Sequence, residues 1–325
     1  MRLIMLGNGP FAVPMLRALW TSAHDLQCVV VRPPRMGRGR HRHPPPSPVQ
    51  LVAEELGARV FAPPTVNDDT VRVQLAALRP ELCVVCDYGE ILRPATIDLA
   101  PRGAINLHGS LLPKYRGAAP VAWAIYHGET ETGNTVFQLS PGVDAGPILS
   151  QQRLAIDPDE TAGELEARLA AAGASLVVDT VDGLAAGSIE PVEQDASLAT
   201  KAPRLKKADG QIDWSRPAGA IKDQVRAMQP WPRGFTHWQR PDGAPLRLIL
   251  TRVEPSDRHA GGGVESDAAP GAVLSVDNQL TLAAGDGSLE IIQLQPAGKR
   301  TMSAVEFLRG HAVEVGQHFG SSSVG

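Results

Sequence analysis

Three side chains stand out for the chemistry they could do together: the carboxamide of Asn106, the imidazole of His108 and the carboxylate of Asp144. Residues 104–107 form an apolar run that reads as a strand, so Asn106 and His108, two apart, face the same side where the strand ends. If that strand belongs to an open α/β sheet, its carboxyl end is where ligands bind. Asp144 lies in Gly142-Val143-Asp144-Ala145-Gly146, a glycine-flanked loop after the next strand that could return the carboxylate to His108. Each residue taken singly has an ordinary structural role as a turn cap, a core histidine or a turn former. The three in one context suit acyl transfer in which a substrate amine attacks directly, because no Ser or Cys nucleophile stands among them. Asn106 and a protonated His108 supply donors for the oxyanion of a tetrahedral intermediate. Asp144 supplies a proton acceptor that also holds the imidazole.

The elements that must position these groups are legible in outline. Apolar runs at 2–6, 26–31, 60–61, 82–86, 104–107 and 135–139 alternate with helical patterns at 11–20, 49–56 and 71–78. Such alternation implies βαβ units and a mostly parallel sheet. Thr161-Ala162-Gly163-Glu164 reads as a capping box, and the helix it opens keeps its period to a stop at Gly187. The first domain ends near 190, the chain turns polar and basic from Asp195 to Gly210, and beyond that the texture changes. One helix, 218–228, precedes short strands at 235–238, 246–253, 272–276, 280–283 and 289–294, punctuated by Gly, Pro and Asp. That pattern reads as a small barrel or sandwich.

Composition sets outer limits. A length of 325 residues favours about two domains of roughly 150 residues each. With 43% hydrophobic and 20% charged residues the chain can build cores and is not a disordered polymer. The net charge of −4 excludes a protein that coats nucleic acid with its whole surface. Only three cysteines, Cys28, Cys83 and Cys86, point to a reducing compartment. No apolar run approaches 18 residues, so a cytoplasmic protein without a membrane segment is expected.

Three other signals compete. Gly7-Asn8-Gly9-Pro10-Phe11-Ala12 fits a dinucleotide fingerprint after a strand, with Arg32 where an acid is expected, which makes an NADP-dependent reductase the rival reading. Cys83-Val84-Val85-Cys86 has the spacing of a redox or zinc pair. It lies in a β-branched run where residues three apart face opposite sides, so two buried core cysteines are expected. Arg32, Arg35, Arg38, Arg40 and Arg42 fall in a stretch, interleaved with His41 and His43, that holds no acid between Asp25 and Glu54. With Gly37 and Gly39 it suits closing over a phosphate backbone.

On these residues the chain resembles the folate-dependent formyltransferases over nearly its whole length. The resemblance rests on Asn-Leu-His-Gly-Ser-Leu-Leu-Pro at 106–113, Tyr-Arg-Gly-Ala-Ala-Pro at 115–120, Tyr88-Gly89 with Ile91-Leu92, Glu131-Thr132-Gly133, Val143-Asp144-Ala145-Gly146, Gly37-Arg38-Gly39 and Ser47-Pro48. It implies a Rossmann-like, mostly parallel α/β domain over 1–190 and a linker over 191–210. A smaller OB-like β-barrel follows over 211–318, then a disordered tail over 319–325. It implies that Asn106, His108 and Asp144 are catalytic, that Ser110, Leu111, Leu112 and Pro113 with Tyr88, Gly89 and Ile91 hold the folate, and that 10-formyltetrahydrofolate is the formyl donor without a metal. In the second domain the matching runs are Ile212-Asp213-Trp214, Pro230-Trp231-Pro232, Gly285-Asp286-Gly287 and 294–300, which ends in Gly298-Lys299-Arg300. They resemble the branch that formylates methionyl initiator tRNA rather than amino sugar nucleotides. Arg38, Arg40, Arg42, Lys206, Lys207, Lys299 and Arg300 are then the expected tRNA contacts of a monomer. A formylfolate hydrolase and a non-catalytic RNA-binding protein are the remaining alternatives. The chain departs from the family at Gly7-Asn8-Gly9-Pro10, where Gly-Thr-Pro is usual, and at Pro33-Pro34-Arg35, where an Asp-Arg pair is usual. Asp87 and Glu90 add acidity beside the expected pterin site.

Overall fold

The computed structural model describes residues 1–34, 45–256 and 268–321. Within them the chain divides into two compact units. The first comprises Met1–Pro120, Glu131–Ala155 and Leu165–Pro203, and the second Val121–Thr130, Ile156–Glu164 and Arg204–Gly325.

The first unit is built on β1 (Arg2–Gly7), α1 (Val13–Thr21), β2 (Asp25–Val30), α2 (Pro48–Glu55), β3 (Val60–Phe61), α3 (Asp69–Ala76), β4 (Leu82–Cys86), α4 (Pro94–Ile97) and β5 (Ala104–His108). After the two-residue β6 (Arg116–Gly117) come β7 (Glu131–Gln138), β8 (Ile148–Ala155), α6 (Ala162–Ala186, from Leu165 on) and β9 (Lys201–Ala202), while α5 (Pro120–Tyr126) falls in the second unit from Val121 on. The sheet order is β3-β2-β1-β4-β5-β7-β8. Pairing is parallel from β3 to β5 and antiparallel for β5–β7 and β7–β8. Helices cover both faces, so the parallel strands are apolar on both. Leu3, Met5, Leu82, Val84 and Cys86 pack with α1, α2 and Val177 and Val181 of α6. Their neighbours Ile4, Leu6, Cys83 and Val85 pack on the other face with Val71 and Leu75 of α3. Cys83 and Cys86 therefore lie on opposite faces as free, buried thiols. Burial pushes Cys83 up to about 12 and Cys28 to about 11, away from nucleophilic or metal-binding chemistry. Among the described residues α6 is the one helix long and apolar enough to cross a membrane, and its Val177 and Val181 are fully buried against this sheet.

The second unit contains α7 (Ala218–Ala227) and the antiparallel strands β10 (Phe235–Gln239), β11 (Leu246–Ser256), β12 (Val273–Ser275), β13 (Leu280–Ala283), β14 (Ser288–Pro296), β15 (Met302–Ser303) and β16 (His318–Gly320), with α8 (Ala304–Gly310) before the last. The order is β12-β13-β14-β11-β10-β16, with β15 on β14. Backbone bonds from Val273 to Gln317 (2.8 Å) and from Phe319 to Gly271 (2.8 Å) join the first strand to the last. The result is a nearly closed barrel, which leaves little free strand edge. Its interior holds Trp214, Trp238, Leu248, Leu250, Leu289, Phe307 and Phe319.

Boundaries differ from the sequence expectation in two places. Much of the stretch read as a linker is built into the first unit: Val192 exchanges backbone bonds of 2.8 and 2.7 Å with Ile148, and β9 pairs with β6. The tail begins later than residue 319, because Phe319 is fully buried in the barrel.

Candidate active site

β5 lies between β4 and β7, and its register pairs Asn106 with Val85 and Phe137. Ile105 and Leu107 point into the core on one face, so strand parity turns Asn106 and His108 to the other. Asn106 is half-buried and His108 buried. Beyond the strand the chain folds back in a tight loop. Ser110 Oγ donates to the Lys114 carbonyl at 2.7 Å, and Thr135 Oγ1 of β7 donates to the Ser110 carbonyl at 2.6 Å. The Leu112 amide donates to Thr135 Oγ1 at 3.1 Å, and Gln151 Nε2 of β8 donates to the Leu112 carbonyl at 2.9 Å. The loop brings the Tyr115 carbonyl 2.9 Å from His108 Nε2. A carbonyl only accepts, so Nε2 carries a hydrogen and the imidazole is fixed in orientation.

The other ring nitrogen, Nδ1, faces Asp144 Oδ2 at 3.8 Å. The loop between β7 and β8 thus returns Asp144 to His108. The carboxylate is held by the Gly117 amide, which donates to Oδ2 at 2.8 Å. Asp144 itself adopts φ 47°, a left-handed backbone that costs a non-glycine residue on the order of 1 kcal/mol and persists only where the surroundings hold it. Gly117 has φ 129°, and a side chain there would collide with the Ala202 carbonyl of β9. Close backbone approach of β6 to β9 is therefore what presents the Gly117 amide to Asp144.

The remaining expected site residues are placed unevenly. Ser110 is fully buried with its hydroxyl committed to Lys114, and Leu112 is buried; Leu111 and Pro113 are half-buried. Tyr88 lies on the inner side of the expected folate wall. Its ring is buried in the apolar cluster with Ile4, Val30 and Val66, its hydroxyl has no partner, and burial holds the phenol well above its usual range. Gly89 and Ile91 stand at the surface, and Ile91 is 81% exposed. Glu90 accepts from Thr65 Oγ1 and from Asn67 Nδ2 (3.0 Å), clamping the turn before α3. Asp87 is different. The residue is exposed, yet its carboxyl fills the space above the α-carbon of Gly9, and desolvation pushes it up to about 6. Lys206, Lys207, Lys299 and Arg300 are exposed, with Arg300 Nη2 3.0 Å from Glu306. Arg38, Arg40 and Arg42 lie outside the described residues.

The dinucleotide reading fails on geometry. The amides of Asn8 and Gly9, which would cradle a pyrophosphate, instead donate to the Asp87 carbonyl at 3.1 and 3.2 Å. The Asp87 carboxyl covers Gly9, where a diphosphate would have to approach. Sequence reasoning also missed Gln194, Thr135 and Gln151, which carry the loops around His108 and Asp144. Their side chains bond backbone groups far away in sequence, and such bonds leave no local pattern.

A mostly parallel sheet with an orienting carbonyl, an imidazole and a carboxylate at one strand end, followed by a small barrel, is an arrangement that suits acyl transfer. The chain belongs to the formyl transferase family: the formyl transferase model matches residues 1–181 and the model of the formyl transferase C-terminal domain matches residues 204–312. Among its relatives, the methionyl-tRNA formyltransferase of Solibacter usitatus is 42% identical over 320 residues, covering 98% of this chain and 99% of that protein. That of Chloroflexus aurantiacus is 43% identical over 312 residues, covering 95% and 97%. Of the solved structures, the N-formyltransferase from Helicobacter canadensis, in complex with folinic acid and dTDP-3-aminofucose, matches with a TM-score of 0.65. It is 16% identical over 89% of this chain and 98% of that one, a likeness of fold.

Proposed function

We propose that this chain transfers the formyl group of 10-formyltetrahydrofolate to the amine of methionyl initiator tRNA. The observation that carries the reading is full-length identity above 40%, through both domains, to proteins named methionyl-tRNA formyltransferase. In the proposed reaction the methionyl nitrogen attacks the formyl carbon, and the carbonyl oxygen becomes an oxyanion. The amine gives up a proton, the bond from carbon to N10 breaks, and N10 takes a proton. Tetrahydrofolate and N-formylmethionyl-tRNA are the products. Asn106 and His108, on one face of β5, supply hydrogen-bond donors to the oxyanion. Nε2 is occupied by Tyr115, so Nδ1 is the nitrogen that carries or releases a proton in the space it shares with Asp144. Direct attack fits the chain's own nucleophiles, since the Ser110 hydroxyl is bonded to Lys114 and the three thiols are buried. The folate is read as lying along 110–113 with Gly89 and the exposed Ile91.

The test is incubation with 10-formyltetrahydrofolate and methionyl initiator tRNA, followed by hydrolysis of the ester and detection of N-formylmethionine. Formylation of an amino sugar nucleotide in place of the tRNA overturns the acceptor. Release of formate without any acceptor makes the chain a formylfolate hydrolase.

A further inference from the structure

We propose that Gln194 is a positioning residue for formyl transfer: its carboxamide fixes the backbone of the Asp144 loop and so aims the Asp144 carboxylate at His108. The inference rests on the catalytic reading of Asn106, His108 and Asp144 given above. Gln194 lies in the stretch that the sequence presented as a linker, 50 residues from Asp144. Its Nε2 donates to the Asp144 carbonyl at 2.9 Å and to the Gly146 carbonyl at 2.7 Å. Its Oε1 accepts from Arg116 Nε at 3.1 Å and Nη2 at 2.7 Å. Both amide hydrogens and both lone pairs of the oxygen are thereby used, which is the full capacity of a carboxamide.

This saturation links the two loops that meet at the site. One carries Asp144. The other carries Arg116 beside Gly117, whose amide holds the Asp144 carboxylate, and Tyr115, whose carbonyl holds His108. Thr200 adds a second tie from the same stretch: its Oγ1 accepts from the Tyr115 amide at 2.8 Å and its carbonyl from the Arg116 amide at 2.9 Å. Asp144 sits in a left-handed backbone, which persists only where its surroundings hold it. The carboxylate stands 3.8 Å from Nδ1, beyond a direct hydrogen bond, so a small backbone shift changes how the two groups share a proton.

Two near-isosteric substitutions separate positioning from bulk. Gln194→Met keeps the volume and removes all four bonds. Gln194→Glu keeps the contact to Arg116 and turns a carboxylate oxygen onto two carbonyls. Both are expected to lower kcat on the order of 10-fold to 10²-fold, the scale of misplacing a reacting group by about 1 Å, while KM for the folate and the tRNA stays at the wild-type value. In an Asp144→Asn background Gln194→Met is expected to add little further loss, because its effect runs through Asp144. The His108 ring resonances, followed by NMR, are expected to move in both variants in the direction that Asp144→Asn moves them. That readout needs no acceptor, so it scores Gln194 even if the wild-type chain leaves methionyl-tRNA unformylated and the functional reading fails. Losses that multiply in the double variant, or unmoved His108 ring resonances with wild-type kcat, overturn the positioning role.

Discussion

At the scale of the residue, the site is a set of directions imposed on a few polar atoms. Asp144→Asn keeps an oxygen for the Gly117 amide and removes the charge that faces Nδ1. It is expected to fold like the wild type and to lose roughly 10²-fold in turnover, as are Asn106→Ala and His108→Ala. Single-turnover kinetics beside thermal melts measure both, and wild-type turnover in any two of the three variants overturns the assignment. Asn106 and His108 were legible because strand parity puts residues two apart on one face. Asp144 was legible because glycines on both sides marked a loop after the next strand. Gln194 was not, since its bonds run from a side-chain amide to backbone carbonyls 48 and 50 residues away. Asp87 makes a different prediction. Its carboxyl rises from an ordinary 3.8 to about 6, so the folded state keeps a proton that the unfolded chain has released between those values. Stability from this group is fully present below about 3.8 and is lost as pH rises through about 6. Asp87→Asn, which tolerates the left-handed backbone there (φ 45°), is expected to melt slightly higher than the wild type at pH 7.5 and at the same temperature below pH 4. The residue's exposure keeps the difference small. A variant that melts lower at pH 7.5 removes desolvation as the cause.

At the scale of the element, what was legible follows burial. β4 throughout and β1 beyond Arg2 are buried on both faces, so their sequences are continuous apolar runs, and the buried second half of β2, Cys28–Val30, is legible in the same way. β8 is not legible because it is the edge strand: its Ser150, Gln151, Gln152 and Arg153 sit on a half-exposed ladder and look like loop. α8 carries a usable sign in the capping box of Ser303 and Glu306, but at seven residues it is too short for its period to stand out. The short pair β6–β9 has no signature of length or period, yet it determines where the Gly117 amide points. That makes Gly117→Ala informative. A methyl group there meets the Ala202 carbonyl, and φ 129° is strained for alanine. The expected cost is about 1–3 kcal/mol of stability from strain and overpacking. The same shift moves the donor off Asp144, so kcat is expected to fall further than a surface substitution of equal stability cost. Chemical denaturation and turnover measured on one preparation compare the two. Full kcat in a destabilised Gly117→Ala chain returns β6–β9 to a purely structural role.

At the scale of the whole molecule, the question is how a chain of net charge −4 holds a long polyanion. Long-range attraction cannot come from the total charge, so it has to come from local basic groups within about one Debye length of the phosphates, roughly 8–10 Å at physiological salt. Those groups matter to rate as well as affinity, because remote binding energy positions the reactive amine. Lys206 and Lys207 are exposed in the second unit, at a short 3₁₀ turn soon after Arg204, and Lys299 is exposed in the turn after β14. Arg300 is already ion-paired with Glu306, so part of its charge is answered within the protein. Neutralising Lys206 and Lys207 together is expected to weaken tRNA binding uniformly across tRNA sequences. It should also flatten the slope of log affinity against log salt by about 2, roughly one for each phosphate that no longer meets a cation. Lys299→Ala is expected to flatten it by about 1 and Arg300→Ala by less, while KM for the folate stays unchanged. Filter binding over a salt series gives the slopes directly. An unchanged slope in the Lys206/Lys207 variant makes that stretch a solvated face. The phosphates would then be held by Arg38, Arg40 and Arg42, whose triple alanine substitution in the same series is the deciding comparison.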